Sequence, residues 1–120
     1  MPPRRRPART DFRTEKQVEA TGDLIMKSLG FDSYHFSQSR ATMQTPGIPD
    51  RKYFSRERRA AVWWEAKTAI GHPSAFQVAF RANCEACGEE YVLGTDDALV
   101  DWAVSKGFAE RLPNGLRVIR

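Results

Sequence analysis

The stretch "AAVWWEAK", Ala60–Lys67, decides how this chain is read. Valine and tryptophan favour extended backbone, and the period of two sorts the side chains onto two faces. Val62, Trp64 and Ala66 share one; Trp63, Glu65 and Lys67 share the other. A strand is predicted here, with a carboxylate and an ammonium pointing the same way.

Working upstream, "GIPDRKYF" predicts a second strand over about residues 48–54, and Arg56, Arg58 and Arg59 sit in or beside the turn between the two strands. "FDSYHFS" alternates Phe31, Tyr34 and Phe36 and predicts a further strand. The turn-rich "QSRATMQTPG" that follows is expected to be a mobile connection. Before these, "TEKQVEATGDLIMKSLG" reads as an amphipathic helix capped by Thr14, with Val18, Ile25 and Leu29 apolar and Gly30 as its stop; Gly22 counts against it.

Downstream, Ser74 caps a helix whose stripe Phe76, Phe80, Cys84 and Cys87 is expected to face the core and which ends at Gly88. "EEYVLG" is a short strand, and "TDDALVDWAVSKG" a helix with Thr95 as cap, Asp96 and Asp97 in its first turn and Gly107 as stop. The end, "RLPNGLRVIR", predicts a Pro-Asn-Gly turn and nothing more. The order α-β-β-β-α-β-α makes an α/β fold with a mixed β-sheet flanked by helices.

The 120 residues suit one domain, and a composition of 41% hydrophobic and 28% charged residues is that of a globular chain. The net charge of +4 resides in residues 1–13, where Arg4, Arg5, Arg6, Arg9 and Arg13 face only Asp11. Such a segment is too poor in apolar side chains to fold alone, so residues 1–13 are expected to be a flexible basic arm, either a solubilising tail or a phosphate-attracting one, and 14–120 the folded domain. No stretch has the ~20 apolar residues of a membrane span, and no apolar segment follows the arginines as in a secretory signal. The expected setting is the cytoplasm.

Cys84 and Cys87 form a lone CxxC, which serves either as core thiols or, with His35 and His72, as the minimum of a zinc shell. The stronger chemical candidate is the acid pair. Asp50 begins one predicted strand and Glu65 ends its neighbour, so the two carboxylates can meet, and a divalent cation is what stabilises such a pair. Lys67 would then orient or deprotonate an attacking water, or stabilise phosphoryl charge. The plainer alternative is an exposed Glu65–Lys67 ion pair beside a turn-forming Asp50.

"GIPD", then "WWEAK", then "SAFQVAFRANCEACGEEYVLGTDDALVDWAVSKG" resembles the PD-(D/E)XK nuclease superfamily, in its VRR-NUC branch, over most of the chain. The resemblance implies a restriction-endonuclease-like core in which Asp50, Glu65 and the Ala66 carbonyl hold Mg²⁺ or Mn²⁺. Lys67 and Gln77 would position water and scissile phosphate, and Glu15 would complete the metal shell or orient Lys67; a first-turn acid favoured by the helix dipole is the plainer account of Glu15. Small proteins of this kind are similar to homodimeric Holliday-junction resolvases, so the resemblance also implies a DNA endonuclease acting on branched DNA, in a bacterial or phage-infected cell. A nucleic-acid-binding module without catalysis and a nuclease subunit of a larger repair or replication assembly stand as alternatives. Arg4, Arg5, Arg6, Arg51, Lys52, Arg56, Arg58, Arg59 and Arg81 are candidates for contact with the DNA backbone, or solvated charges. Trp63 shares the acidic face and could stack on a base or line a subunit interface; Trp64 and Trp102 are expected in the core.

Overall fold

A glycine in the first helix controls how the layers meet. The computed structural model describes residues 12–36, 46–68 and 72–120. Helix α1 (Glu15–Ser28) starts at a capping box, in which the Thr14 hydroxyl accepts the Gln17 N–H and the Gln17 side chain accepts the Thr14 N–H. Its buried positions are Val18, Gly22 and Met26. Gly22 belongs to the contact face, whereas Ile25, expected there, is only half-buried. The reason is Trp64: a Cβ built on Gly22 would stand 2.3 Å from two carbons of its indole ring. Only a side chain of one hydrogen lets the ring lie against the helix.

The sheet is β1 (Asp32–His35), β2 (Arg51–Ser55), β3 (Ala60–Ala66) and β4 (Tyr91–Gly94), in that spatial order. The first two pairings are antiparallel and β3–β4 is parallel, as a crossover through α2 (Ala75–Cys87) requires. β2 begins at Arg51, later than the sequence pattern suggests, after Pro49, which has no N–H to give a ladder. Along β3 the alternation holds: Val62, Trp64 and Ala66 are fully buried in a core with Val18, Met26, Leu29, Tyr53 and Val92. α3 (Asp96–Ser105) closes that core with Leu99 and Ala103, behind a cap in which Thr95 accepts the Asp97 N–H.

Two expectations are corrected. The chain end forms a hairpin, β5 (Ala109–Leu112) with β6 (Gly115–Val118), around the two-residue turn Pro113–Asn114. Ala109, Phe108, Leu116 and Val118 pack on the core, so the hairpin is anchored by burial that its short alternation understates. On α2, Cys84 is the buried residue; Phe76 is 62% exposed and Cys87 is exposed as well. The helix meets the sheet through Phe80 and Cys84, with Phe80 edge-on to Trp63 at 5.1 Å, while its first turn packs the Phe76 backbone against Gly47 and leaves the Phe76 ring outside. Residues 1–11, with Arg4, Arg5 and Arg6, and the connection over 37–45 lie outside the described residues.

Substituting Gly22→Ala should be a net loss. Alanine gains about 1 kcal/mol in helix propensity over glycine, while overpacking a filled core costs about 3 kcal/mol at its upper range. Urea unfolding should therefore show Gly22→Ala less stable by about 2 kcal/mol. A variant more stable than the parent would mean that Trp64 does not press on α1.

Candidate metal centre

The register of β2 and β3 pairs Arg51 with Trp64, so continuing it by one residue sets Asp50 opposite Glu65. The backbone of Asp50 is held there as an extension of the sheet, since its carbonyl accepts the Phe36 N–H at 2.9 Å. Glu15 arrives from the third side, as the first residue of α1. One oxygen from each of Glu15, Asp50 and Glu65 lies within 4.8 Å of the others. The two acids that the sequence pattern brings together, and the third implied by resemblance, thus converge at one point.

Glu65 is the buried member, 2% exposed, and its Oε1 has no hydrogen-bond partner among the described residues. Burial first, and then the Asp50 carboxylate beside it, push its carboxyl up to about 8; the Lys67 ammonium acts in the opposite direction. A buried acceptor without a partner, facing two further carboxylates, suits a small hard dication bound by oxygen. Clustered anions stabilise one another poorly without a compensating charge, so the donor set fits Mg²⁺ or Mn²⁺. No Cys/His group able to hold a metal occurs among the described residues, which removes the zinc alternative for Cys84, Cys87, His35 and His72 there.

Lys67 follows directly on β3, and its N–H donates to the Gly94 carbonyl at 3.0 Å, carrying the parallel ladder one residue past Ala66. The alternation that buries Ala66 directs Lys67 to the side of Glu65. Gln77 is engaged differently. Its Oε1 accepts the Ser74 N–H at 2.8 Å and its own N–H donates to Ser74 Oγ at 3.2 Å, so it closes a capping box at the start of α2. The signature Ser-x-x-Gln was there to be read at residues 74–77.

The basic residues divide sharply. Arg51 turns to the α1 side, where its Nε lies 3.0 Å from Asp23 and its Nη1 3.4 Å from Glu19. Arg58 donates to the carbonyls of Leu29 and Ile119 and covers the Phe108 ring at 4.8 Å. Lys52 is buried, 3.1 Å from Glu89 and 4.4 Å from the centre of the Trp63 ring. These three guanidinium or ammonium groups are committed to holding the fold. Arg81 pairs with Glu85 one turn away on α2, and its guanidinium lies over the Tyr91 ring of β4 at 5.8 Å. Arg56 and Arg59 are exposed.

Sequence reading missed Glu19 and Asp23. With Glu15 they recur at i, i+4 and i+8, a spacing that places three acids along one side of α1. Asp23 accepts from Arg51 and from the Tyr53 hydroxyl at 2.6 Å, and burial beside that carboxylate pushes the Tyr53 phenol up. Glu19 is raised as well, by desolvation, with Arg51 opposing. The network ties α1 to β2 directly beneath Asp50, whose carbonyl also accepts from Arg51 Nη1 at 3.3 Å.

No family model matches the sequence, and no curated protein matches it. A solved structure described as a VRR_NUC domain matches with a TM-score of 0.62 and 17% identity, over 76% of this chain and 94% of that one. At that identity the likeness establishes the fold: this chain has the mixed-sheet, helix-flanked architecture of a VRR_NUC domain, consistent with a restriction-endonuclease-like core.

The raised Glu65 carboxyl makes a prediction about the metal-free protein. Between pH 4.5 and about 8 the folded chain retains a proton that the unfolded chain has released, so stability falls as pH rises through that window. Glu65→Gln, which cannot ionise, should flatten the decline; urea midpoints across this range in EDTA measure it. An identical slope in both proteins would mean that Glu65 ionises normally.

Proposed function

We propose that this chain is a divalent-metal-dependent DNA endonuclease, a hydrolase of phosphodiester bonds. The observation that carries the reading is the convergence of Glu15, Asp50 and Glu65 within 4.8 Å, on the fold of a VRR_NUC domain. Asp50 and Glu65 are the proposed metal ligands, with the Ala66 carbonyl beside them and Glu15 closing the shell. Bound there, Mg²⁺ or Mn²⁺ supplies positive charge to a phosphoryl oxygen and acidifies a water. Lys67, on the same side as Glu65, holds that water in line with the phosphorus or neutralises charge building on the phosphoryl oxygens. Gln77 anchors the start of α2 through its Oε1, and its amide NH₂ would donate to a phosphate.

The substrate we propose is branched DNA such as a four-way junction, cut by a homodimer acting in the cytoplasm. Twofold symmetry matches two strands of opposite polarity. Phe76, exposed on α2, provides apolar surface that a second copy would cover. Among the described residues no helix is long and apolar enough to cross a membrane. Arg81 on α2, with Arg56 and Arg59 across the sheet and Arg4, Arg5 and Arg6 in the arm, would supply the phosphate contacts.

The test is cleavage of end-labelled junction and linear duplex with Mg²⁺ or Mn²⁺. Asp50→Ala and Glu65→Gln should each lower the rate at least ~100-fold, and EDTA should abolish it. Activity surviving Asp50→Ala would remove the metal site; equal cutting of both substrates would remove the preference for branches. Salt-sensitive DNA binding with no cleavage under any metal would leave a binding module without catalysis.

A further inference from the structure

The face of the sheet that carries Glu65 continues away from the metal centre into an aromatic and basic surface. Three successive rungs of the β2–β3 ladder lie on it: the carboxylates of Asp50 and Glu65, then Lys52 opposite Trp63, then Phe54 opposite Ala61. The middle rung is covered by Phe36, Phe80 and Glu89. The third is open. Phe54 is 44% exposed; Asp32 is its direct partner on β1, and its diagonal neighbour Tyr34, 55% exposed, meets it edge to face at 5.6 Å.

Large aromatic rings half out of water on an open sheet are a cost unless something covers them. Beside them runs a shallow groove of about 330 Å³, lined by Phe54 and Ala61 together with Arg56 and Arg59 from the β2–β3 turn. Neither guanidinium pairs with a carboxylate among the described residues, in contrast to Arg51, Arg81, Arg111 and Arg117. Glu57, from the same turn, lines a different cleft with Lys27 and Arg58, and Asp32 lines one with Lys27 and His35. The groove's own lining thus has two cations, no anion and the Phe54 ring, with Asp32, the cross-strand partner of Phe54, beyond its edge. Arg59 is held in the left-handed region, with φ 52°, the one non-glycine residue so placed among those described.

We propose that Tyr34, Phe54, Arg56 and Arg59 form a platform for single-stranded nucleic acid, on which bases stack against the rings while the arginines take the phosphates. Sequence-tolerant single-strand binding needs this combination of π-faces and a cationic groove. Phe54 lies four residues from Asp50 along β2, ~13 Å at the rise of a strand and on the same face of the sheet, with the covered rung of Lys52 and Trp63 between them, so a strand on the platform would pass beside that cover to reach the metal centre. The inference rests on the nuclease reading for its substrate, and it narrows that substrate to DNA with a single-stranded segment next to the cut. A second copy of the chain is the competing occupant of this face, which the two arginines without acidic partners disfavour, since a twofold contact here would bring like charges together.

The experiment is binding of the full chain, in EDTA, to a fluorescein-labelled oligothymidylate of about 16 nucleotides and to a duplex of the same length. The double variant Tyr34→Ala/Phe54→Ala should bind the single strand ~10-fold or more weakly and still bind duplex. Arg56→Gln/Arg59→Gln should flatten the salt dependence of single-strand binding by about 1.4, the release from two phosphates at ~0.7 each. Should the alanines fail to fold, Tyr34→Leu/Phe54→Leu keeps the apolar bulk and removes the π-faces, with the same expectation. Unchanged single-strand affinity in a folded double variant overturns the platform, and unchanged affinity together with loss of a dimer assigns the face to a second copy. Cleavage with Mg²⁺ is scored separately. Single-strand binding through these residues by a chain that never cleaves would end the nuclease reading and keep the platform, and cleavage by a chain whose binding ignores them would do the reverse.

Discussion

The contact between Trp64 and Gly22 sets the position of everything that acts. Trp64 stands next to Glu65 on β3, and Gly22 lies two helical turns beyond Glu15 on α1. Residues seven apart return to nearly the same side of a helix, so the contact that seats the indole also turns Glu15 toward the sheet. Trp64 is pinned at its other end as well, its Nε1–H donating to the Gly94 carbonyl at 3.1 Å, where β4 hands over to α3. One large side chain thereby registers α1, β3 and β4 against one another, and the acids follow from that registration.

The Arg51 clamp has the same consequence from the other strand. Asp23 and Glu19 hold its guanidinium on the α1 side while Asp50 precedes it on the chain, so the position of Asp50 relative to α1 is fixed by ionic contacts that are largely out of water. Removing one partner of such a group leaves the others uncompensated. Among the described residues, the carboxylates of Asp50 and Glu65 have each other and the Lys67 ammonium, and no guanidinium clamp of this kind. Burial and the Asp50 carboxylate raise the Glu65 carboxyl, so a dication bound there would compete with its proton.

Much of this was legible in the residues. The strand at Ala60–Lys67 and its alternation predicted which side chains enter the core, and the paired strands predicted that Asp50 and Glu65 would meet. Gly22 was read as a weakness in a helix because propensity is a local quantity, while its use here depends on a tryptophan 42 positions later. The stripe on α2 misled for the opposite reason. Periodicity reports that a face is apolar, and it does not report whether the rest of the fold covers that face. Basic residues near a turn carry no mark that separates Arg51, Lys52 and Arg58, which pair inward, from Arg56 and Arg59, which do not. The terminal hairpin escaped because four-residue strands leave too little alternation to detect.

The central claim is that three acidic side chains from α1, the start of β2 and β3 share one cation. Anomalous diffraction from crystals soaked in Mn²⁺ locates that ion without reference to activity. The account predicts a single peak between the carboxylates of Asp50 and Glu65, at ~2.1 Å from an oxygen of each and with Glu15 beside it. A manganese peak elsewhere, or carboxylates that stay apart with none between them, would contradict it.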